Sequence, residues 1–201
     1  MPPISLTDLI AAAIVGLAIV IMAIVWLSSR KPPVEPYEPI EAYSSIEALM
    51  HRSSEEGKAL LLSLGEGLSG QQSAMGDSVS LAIEQIVLSR SVSNDQPTQS
   101  FSGDGALACI SQLVVHGAYQ NAMATELFRS DHSLMGGVGA FAWMSVIMPE
   151  LARSENGGLI LAGTMRPEHV LIADLAERLE LPIIAATGSL TAQAAFFASG
   201  T

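Results

Sequence analysis

The hexapeptide Gly65-Glu66-Gly67-Leu68-Ser69-Gly70 comes nearest, in residue types and spacing, to a binding chemistry. It has the form G-x-G-x-x-G. Between a strand and a helix, such glycines let the backbone approach a pyrophosphate at a helix N-terminus, where free N–H groups favour an anion. Two features argue the other way. Glu66 puts a carboxylate inside the loop, where phosphate charge would sit. The acid expected about 20 residues on, for a ribose hydroxyl, is missing, and Asp104 stands 34 residues after Gly70. The motif therefore reads first as a tight strand-to-helix turn. A small-molecule site for a nucleotide or phosphorylated metabolite is the alternative, with Gly65, Gly67, Gly70, Asp104, Gly163 and Thr164 as its expected lining. No cofactor other than such a nucleotide is expected.

Asp131-His132 is the one pair that could do acid/base work, although neighbours in sequence point in different directions. His51, His116 and His169 stand apart, and no pair has zinc-ligand spacing with a third ligand, so no metal is expected. Ser63, in Leu-Ser-Leu-Gly, lacks the G-x-S-x-G elbow of a hydrolase. Small polar residues such as Ser102, Asp104, Ser130 and Ser189 sit where helices should begin, and helix capping accounts for most of them. An enzyme is thus not the expected reading.

The elements that would position these residues alternate. Short apolar strands are expected at 58–64, 98–102, 125–129, 158–162 and 182–186. Helices are expected at 71–90, from 105 onward, at 133–151, from 166 and up to 199. Leu107, Ile110, Leu113, Val114 and Gly117 in the second of these, and Leu171, Leu175 and Leu179 in the fourth, should face the core. Continuous apolar strands alternating with amphipathic helices predict an α/β fold. It is a Rossmann-like, doubly wound, mostly parallel five-stranded sheet, with every strand-to-helix turn at one edge. A ligand, if bound, belongs between the first and fourth strands.

Residues 133–149 carry no charge, which is unusual for a helix with a solvent face. Either this helix is buried between the sheet and another element, or an outer face bearing Phe141, Trp143 and Met144 meets another subunit; the second reading is favoured, so a homo-oligomer or a larger membrane complex is expected.

The amino-terminal stretch Leu9–Leu27 has no charged residue over 19 positions. At about 1.5 Å per helical residue it is long enough to span a bilayer. Arg30 and Lys31 follow it and nothing basic precedes it, which predicts a single-pass inner-membrane protein with its N-terminus outside and its domain cytoplasmic. The expected organisation is an anchor over 1–31, a proline-rich spacer over 32–40, a short helix within 41–57 that packs on the domain, and the α/β domain over 58–201. The four prolines of the spacer favour an extended chain, holding the domain on the order of 25 Å from the bilayer. From residue 32 onward there are nineteen acids and seven bases, so no nucleic acid is an expected partner. The single cysteine, Cys109, excludes an internal disulfide and fits a reducing compartment.

The order anchor, proline spacer, Leu60-Leu61-Leu62-Ser63-Leu64-Gly65-Glu66-Gly67-Leu68-Ser69-Gly70, then Gly103-Asp104-Gly105, then Gly158-Leu159-Ile160-Leu161-Ala162-Gly163 resembles an uncharacterised bacterial family. Its members are membrane-anchored, Rossmann-like α/β proteins of the kind found in filamentous green non-sulfur bacteria. The resemblance implies the fold and the anchoring over roughly residues 55–201. It implies no catalytic residue. The resulting expectation is a membrane-tethered structural or assembly subunit, with a non-catalytic domain that self-associates.

Overall fold

A computed structural model describes residues 14–24, 41–66, 73–92, 94 and 96–198. The chain divides into two units, Met1–Ile40 and Glu41–Thr201. In the first, residues 14–24 form helix α1, an uncharged stretch exposed at every position. Among the described residues no helix is long and apolar enough to cross a membrane. The expected span Leu9–Leu27 runs beyond α1 at both ends. Residues 9–13 and 25–27, the Arg30-Lys31 flank and the spacer 32–40 lie outside the described residues.

The second unit is an α/β domain built on a five-stranded, all-parallel sheet. Its strands are β1 (Ala59–Gly65), β2 (Gln99–Ser102), β3 (Ser133–Met135), β4 (Asn156–Thr164) and β5 (Ile183–Ala186), in the order β3-β2-β1-β4-β5. Its helices are α2 (Glu41–Glu56), α3 (Ser73–Ser91), α4 (Gly105–Asn121), α5 (Ala140–Leu151), α6 (Val170–Arg178) and α7 (Leu190–Ala198). The order reverses between β1 and β4, as in a doubly wound sheet.

Strand alternation divides the core in two. Leu60, Leu62 and Leu64 of β1 meet Ile46, Leu49, Ile83, Val87 and Leu107 from α2, α3 and α4. Leu61 points the other way, into a cluster with Trp143, Ile147, Ile172, Ala173 and Phe196 from α5, α6 and α7. β1 and most of β4 are therefore buried on both faces, which is why they read as unbroken apolar runs. The helix expected within 41–57 does pack on the domain, through Ile46, Leu49 and Met50.

Three expectations need correction. Residues 125–129 are not the third strand. Thr125–Leu127 is a single 3-10 turn after Met123, which has φ +55°, and Leu127 is exposed. The strand is Ser133–Met135, paired with β2 as Ser100↔Ser133, Phe101↔Leu134 and Ser102↔Met135. The uncharged 133–149 stretch is accordingly not one helix. Gly136, Gly137 and Gly139 break it, and α5 starts at Ala140.

The inward faces of α4 and α6 agree with expectation only in part: Leu107 is buried, and Val114 and Leu175 pack against the core. Ile110, Leu113, Leu171 and Leu179 are exposed, whereas Ala108, Ser111, Val115 and Ala118, and Ile172, Ala173 and Ala176, are buried. Small side chains let a helix approach its neighbours closely, so packing distance outranks side-chain hydrophobicity here.

One buried polar knot joins α3, α4 and β3. Ser111 Oγ donates to Glu84 Oε1 at 2.5 Å and lies 2.6 Å from Ser133 Oγ. Burial pushes the Glu84 carboxyl up to about 7 against the pull of its serine partners.

Candidate functional site at the carboxyl edge

Where the strand order reverses, β1 and β4 end side by side, with Gly65 in register with Thr164. Gly65 has φ +77°, and a Cβ there would stand 2.4 Å from the Thr164 carbonyl oxygen. Gly163 has φ +113°, and a Cβ there would stand 2.6 Å from the Leu64 carbonyl oxygen. Both glycines thus serve the approach of one strand end to the other. Gly65, Gly163 and Thr164 come together as expected. Asp104 caps α4, accepting from the N–H groups of Ala106 at 2.9 Å and Leu107 at 3.1 Å, so its carboxylate serves the helix. Gly67 and Gly70 lie outside the described residues.

The side chain that enters the switch point is Glu66. It is buried, with Oε2 at 2.8 Å from Nε of Arg166 and Oε1 at 3.7 Å from Nε2 of His169. His169 is fully buried, and desolvation lowers its pKa below 6.5. Its Nδ1 lies 3.0 Å from the main-chain N of Arg166 and 2.9 Å from the Arg166 carbonyl oxygen, so the ring is tied to the Arg166 backbone through Nδ1. The Trp143 ring lies 4.7 Å from that of His169. Glu66 Oε1, His169 Nε2 and Trp143 Nε1 have no hydrogen-bond partner among the described residues. The chain's own carboxylate and guanidinium therefore meet at the end of β1, where the glycine motif begins. An incoming phosphate would meet the Glu66 charge.

Beside this latch, over the ends of β4 and β5, is a mostly apolar cavity of about 480 Å³. Met75, Val79, Gly163, Ala185, Thr187 and Gln193 contribute to its walls.

Asp131 and His132 do not belong to this edge, which corrects the expectation. They precede β3 and so stand at the amino edge of the sheet. They also serve different partners. Asp131 takes two bonds from Arg129, at 3.1 and 2.7 Å, which hold its carboxyl below the ordinary aspartate range. His132 is buried, stacks on Tyr119 and has its Nδ1 3.0 Å from the Tyr119 hydroxyl. Burial lowers its pKa below 6.5. The two side chains make no acid/base dyad.

The expected interface is corrected in part. Trp143 and Met144 are buried and point into the core, because the helical turn that exposes Phe141 turns them toward the sheet. Phe141 itself is 70% exposed. Among the described residues no group of three His, Cys, Asp or Glu side chains could hold a metal ion.

Sequence reasoning missed the Glu66–Arg166–His169 arrangement. Its signal was present in Glu66, a charge out of place in a glycine loop, and in a basic residue opening the turn after β4.

The fold and this edge define the chain's second unit as an α/β domain with an all-parallel sheet whose switch point carries a buried carboxylate paired with an arginine. No protein-family model, curated protein or solved structure matches the chain.

Proposed function

We propose that this protein is a membrane-tethered assembly subunit whose Rossmann-like domain works as a contact surface rather than as an enzyme. The observation that carries the reading is an apolar rim on the carboxyl edge. Met75, Val138, Phe141 and Leu190 are each at least 70% exposed, and each lies near the start of a helix that follows a strand. Parallel topology gathers those turns at one edge, so the four belong to one end of the domain. Leu113, Met123 and Phe197 are as exposed elsewhere on the domain, and four such groups sharing one edge favour an association surface there. The uncharged, fully exposed α1 supports the tether. The Glu66–Arg166 pair supports a contact role over phosphate binding.

The tether follows the single-pass topology expected of Leu9–Leu27, with the domain on the cytoplasmic side. Tethering in a plane raises the effective concentration of neighbouring copies and favours lateral assembly.

Native mass spectrometry of the full chain in mild detergent tests this reading. Dimers or larger assemblies are expected at micromolar concentration, and a strict monomer overturns it. Alkaline extraction of cell membranes tests the tether, with retention in the pellet expected.

The 480 Å³ cavity favours a second reading, a small-molecule site beside the switch point. A ligand of largely apolar surface would suit its walls. A thermal shift with a member of a nucleotide panel, lost in the Gly188→Asp variant, whose side chain enters open space beside the cavity, would favour a phosphorylated ligand instead.

A further inference from the structure

We infer that Glu84 is a proton-operated catch on the edge strand β3, so that its ionisation loosens β3 and, with it, the part of the apolar rim formed by Val138 and Phe141. The inference rests on the assembly reading above and names the regulation of that surface.

Glu84 lies on α3 and is fully buried. Among the described residues its neighbours bring hydroxyls and no cation. Ser111 of α4 donates to its Oε1 at 2.5 Å, and the same hydroxyl lies 2.6 Å from that of Ser133, the first residue of β3. Gln112 Nε2, also on α4, donates to the Ser133 carbonyl oxygen at 3.3 Å. Glu84 Oε2 has no hydrogen-bond partner among the described residues. Such a place favours the protonated carboxyl, because ionisation would leave a buried charge that nothing neutralises.

The ionisable groups of the surrounding elements are engaged elsewhere. On α3, Arg90 pairs with Glu47 of α2, and Asp77 stands seven residues earlier. Asp104 caps α4, and His116 of that helix lies against Phe128. Strands β1 to β4 have no charged residue. Ahead of β3, Asp131 pairs with Arg129 and His132 bonds Tyr119.

β3 has little else to hold it. It is three residues long, pairs with β2 alone, and exposes Leu134 and Met135. Short edge elements of this kind open locally at less than the global free energy of unfolding. Opening admits water to the carboxylate, so the ionised form favours the open state. Beyond β3, Gly136, Gly137 and Gly139 lead to α5, which Trp143 anchors in the core. Gly137 and Gly139 have φ of +118° and +87°. Val138 and Phe141, 72% and 70% exposed, sit on or just after that glycine segment, so a displacement of β3 reaches them before it reaches the core.

The carboxyl titrates at 4.5 when hydrated and at about 7 when enclosed, so the closed state is fully favoured below 4.5 and loses that advantage as pH rises through about 7. Hydrogen exchange of the full chain in mild detergent, corrected for the intrinsic pH dependence of amide exchange, tests the catch. Amides of residues 133–136 are expected to exchange at least tenfold faster than those of β1 and β4, and their opening to rise roughly tenfold between pH 6 and pH 8. In the isosteric Glu84→Gln variant that rise is expected to vanish. Equal protection of β3 and the central strands, or a rise that persists in Glu84→Gln, overturns the catch. Native mass spectrometry at the same two pH values reads the rim. The dimer dissociation constant of the wild type is expected to be at least about twofold higher at pH 8, and that of Glu84→Gln to be equal at both. A wild-type constant that does not change confines the catch to β3 and overturns its link to the rim. A chain that is monomeric at both pH values overturns the assembly reading and that link together, while the exchange profile still decides the catch.

Discussion

Glu66 Oε1 and His169 Nε2 face each other across 3.7 Å at the ends of β1 and β4, and neither has a hydrogen-bond partner among the described residues. Arg166 holds both residues. Its guanidinium pairs with the other oxygen of Glu66, and its main-chain N–H bonds the other ring nitrogen of His169. The switch point is thus organised by one arginine, from strand ends that are distant in sequence.

Arg166→Ala should leave the Glu66 carboxylate buried without its cation. Because Arg166 itself is well exposed, water screens part of the loss, and a destabilisation of about 1–3 kcal/mol is expected. Arg166→Lys should recover part of it. Urea denaturation of the three proteins checks this, and an unchanged midpoint for Arg166→Ala would show that the pair contributes nothing.

Stability should fall as pH rises through neutrality. Glu84 has its pKa raised from 4.5 to about 7, so its neutral form contributes stability fully present below 4.5 and lost as pH rises through about 7. Glu84→Gln keeps the shape and removes the titration. At about pH 8 it should be more stable than wild type by on the order of 2–3 kcal/mol, with the gap closing toward acid. His132 and His169, both lowered from 6.5 by burial, act in the opposite sense. Their contribution is present above 6.5 and is lost as pH falls through their folded values. Denaturation curves across the pH range, compared between wild type and Glu84→Gln, read the carboxyl contribution alone.

Two glycine-to-alanine changes should have opposite signs. Gly65→Ala meets both a positive φ and the Thr164 carbonyl oxygen, so a loss of more than about 2 kcal/mol is expected. Gly117 lies within α4 with open space around it, so Gly117→Ala should stabilise by up to about 1 kcal/mol. Thermal melts of the pair check both signs.

Neighbouring aromatic residues on α5 should separate folding from association. Trp143→Ala removes a fully buried indole and should cost about 3–5 kcal/mol. Phe141→Ala removes a side chain that is 70% exposed and should leave the melting temperature nearly unchanged while weakening self-association. Calorimetry and native mass spectrometry read the two effects.

Much of the sheet was legible along the chain because central parallel strands are buried on both faces and leave unbroken apolar runs. β1 and β4 are the clear cases. The third strand was not legible. Thr125–Arg129 has strand-like residue types, whereas β3 is three residues whose strand character comes from pairing with β2. Its misplacement also moved Asp131 and His132 to the wrong edge. Helix faces were misread where alanine and serine, rather than leucine, pack inward.

Taken alone, the sequence determined the alternation of strands and helices, the uncharged N-terminal stretch, the acidic balance and the glycine-rich turn after β1. These are local properties, set by composition and periodicity. Tertiary structure decided which strand lies beside which, and hence which turns share an edge. It brought Arg166 and His169 to Glu66 across a hundred residues and turned a loop carboxylate into a buried latch. Such outcomes depend on contacts between residues far apart in the chain, and no local pattern carries them.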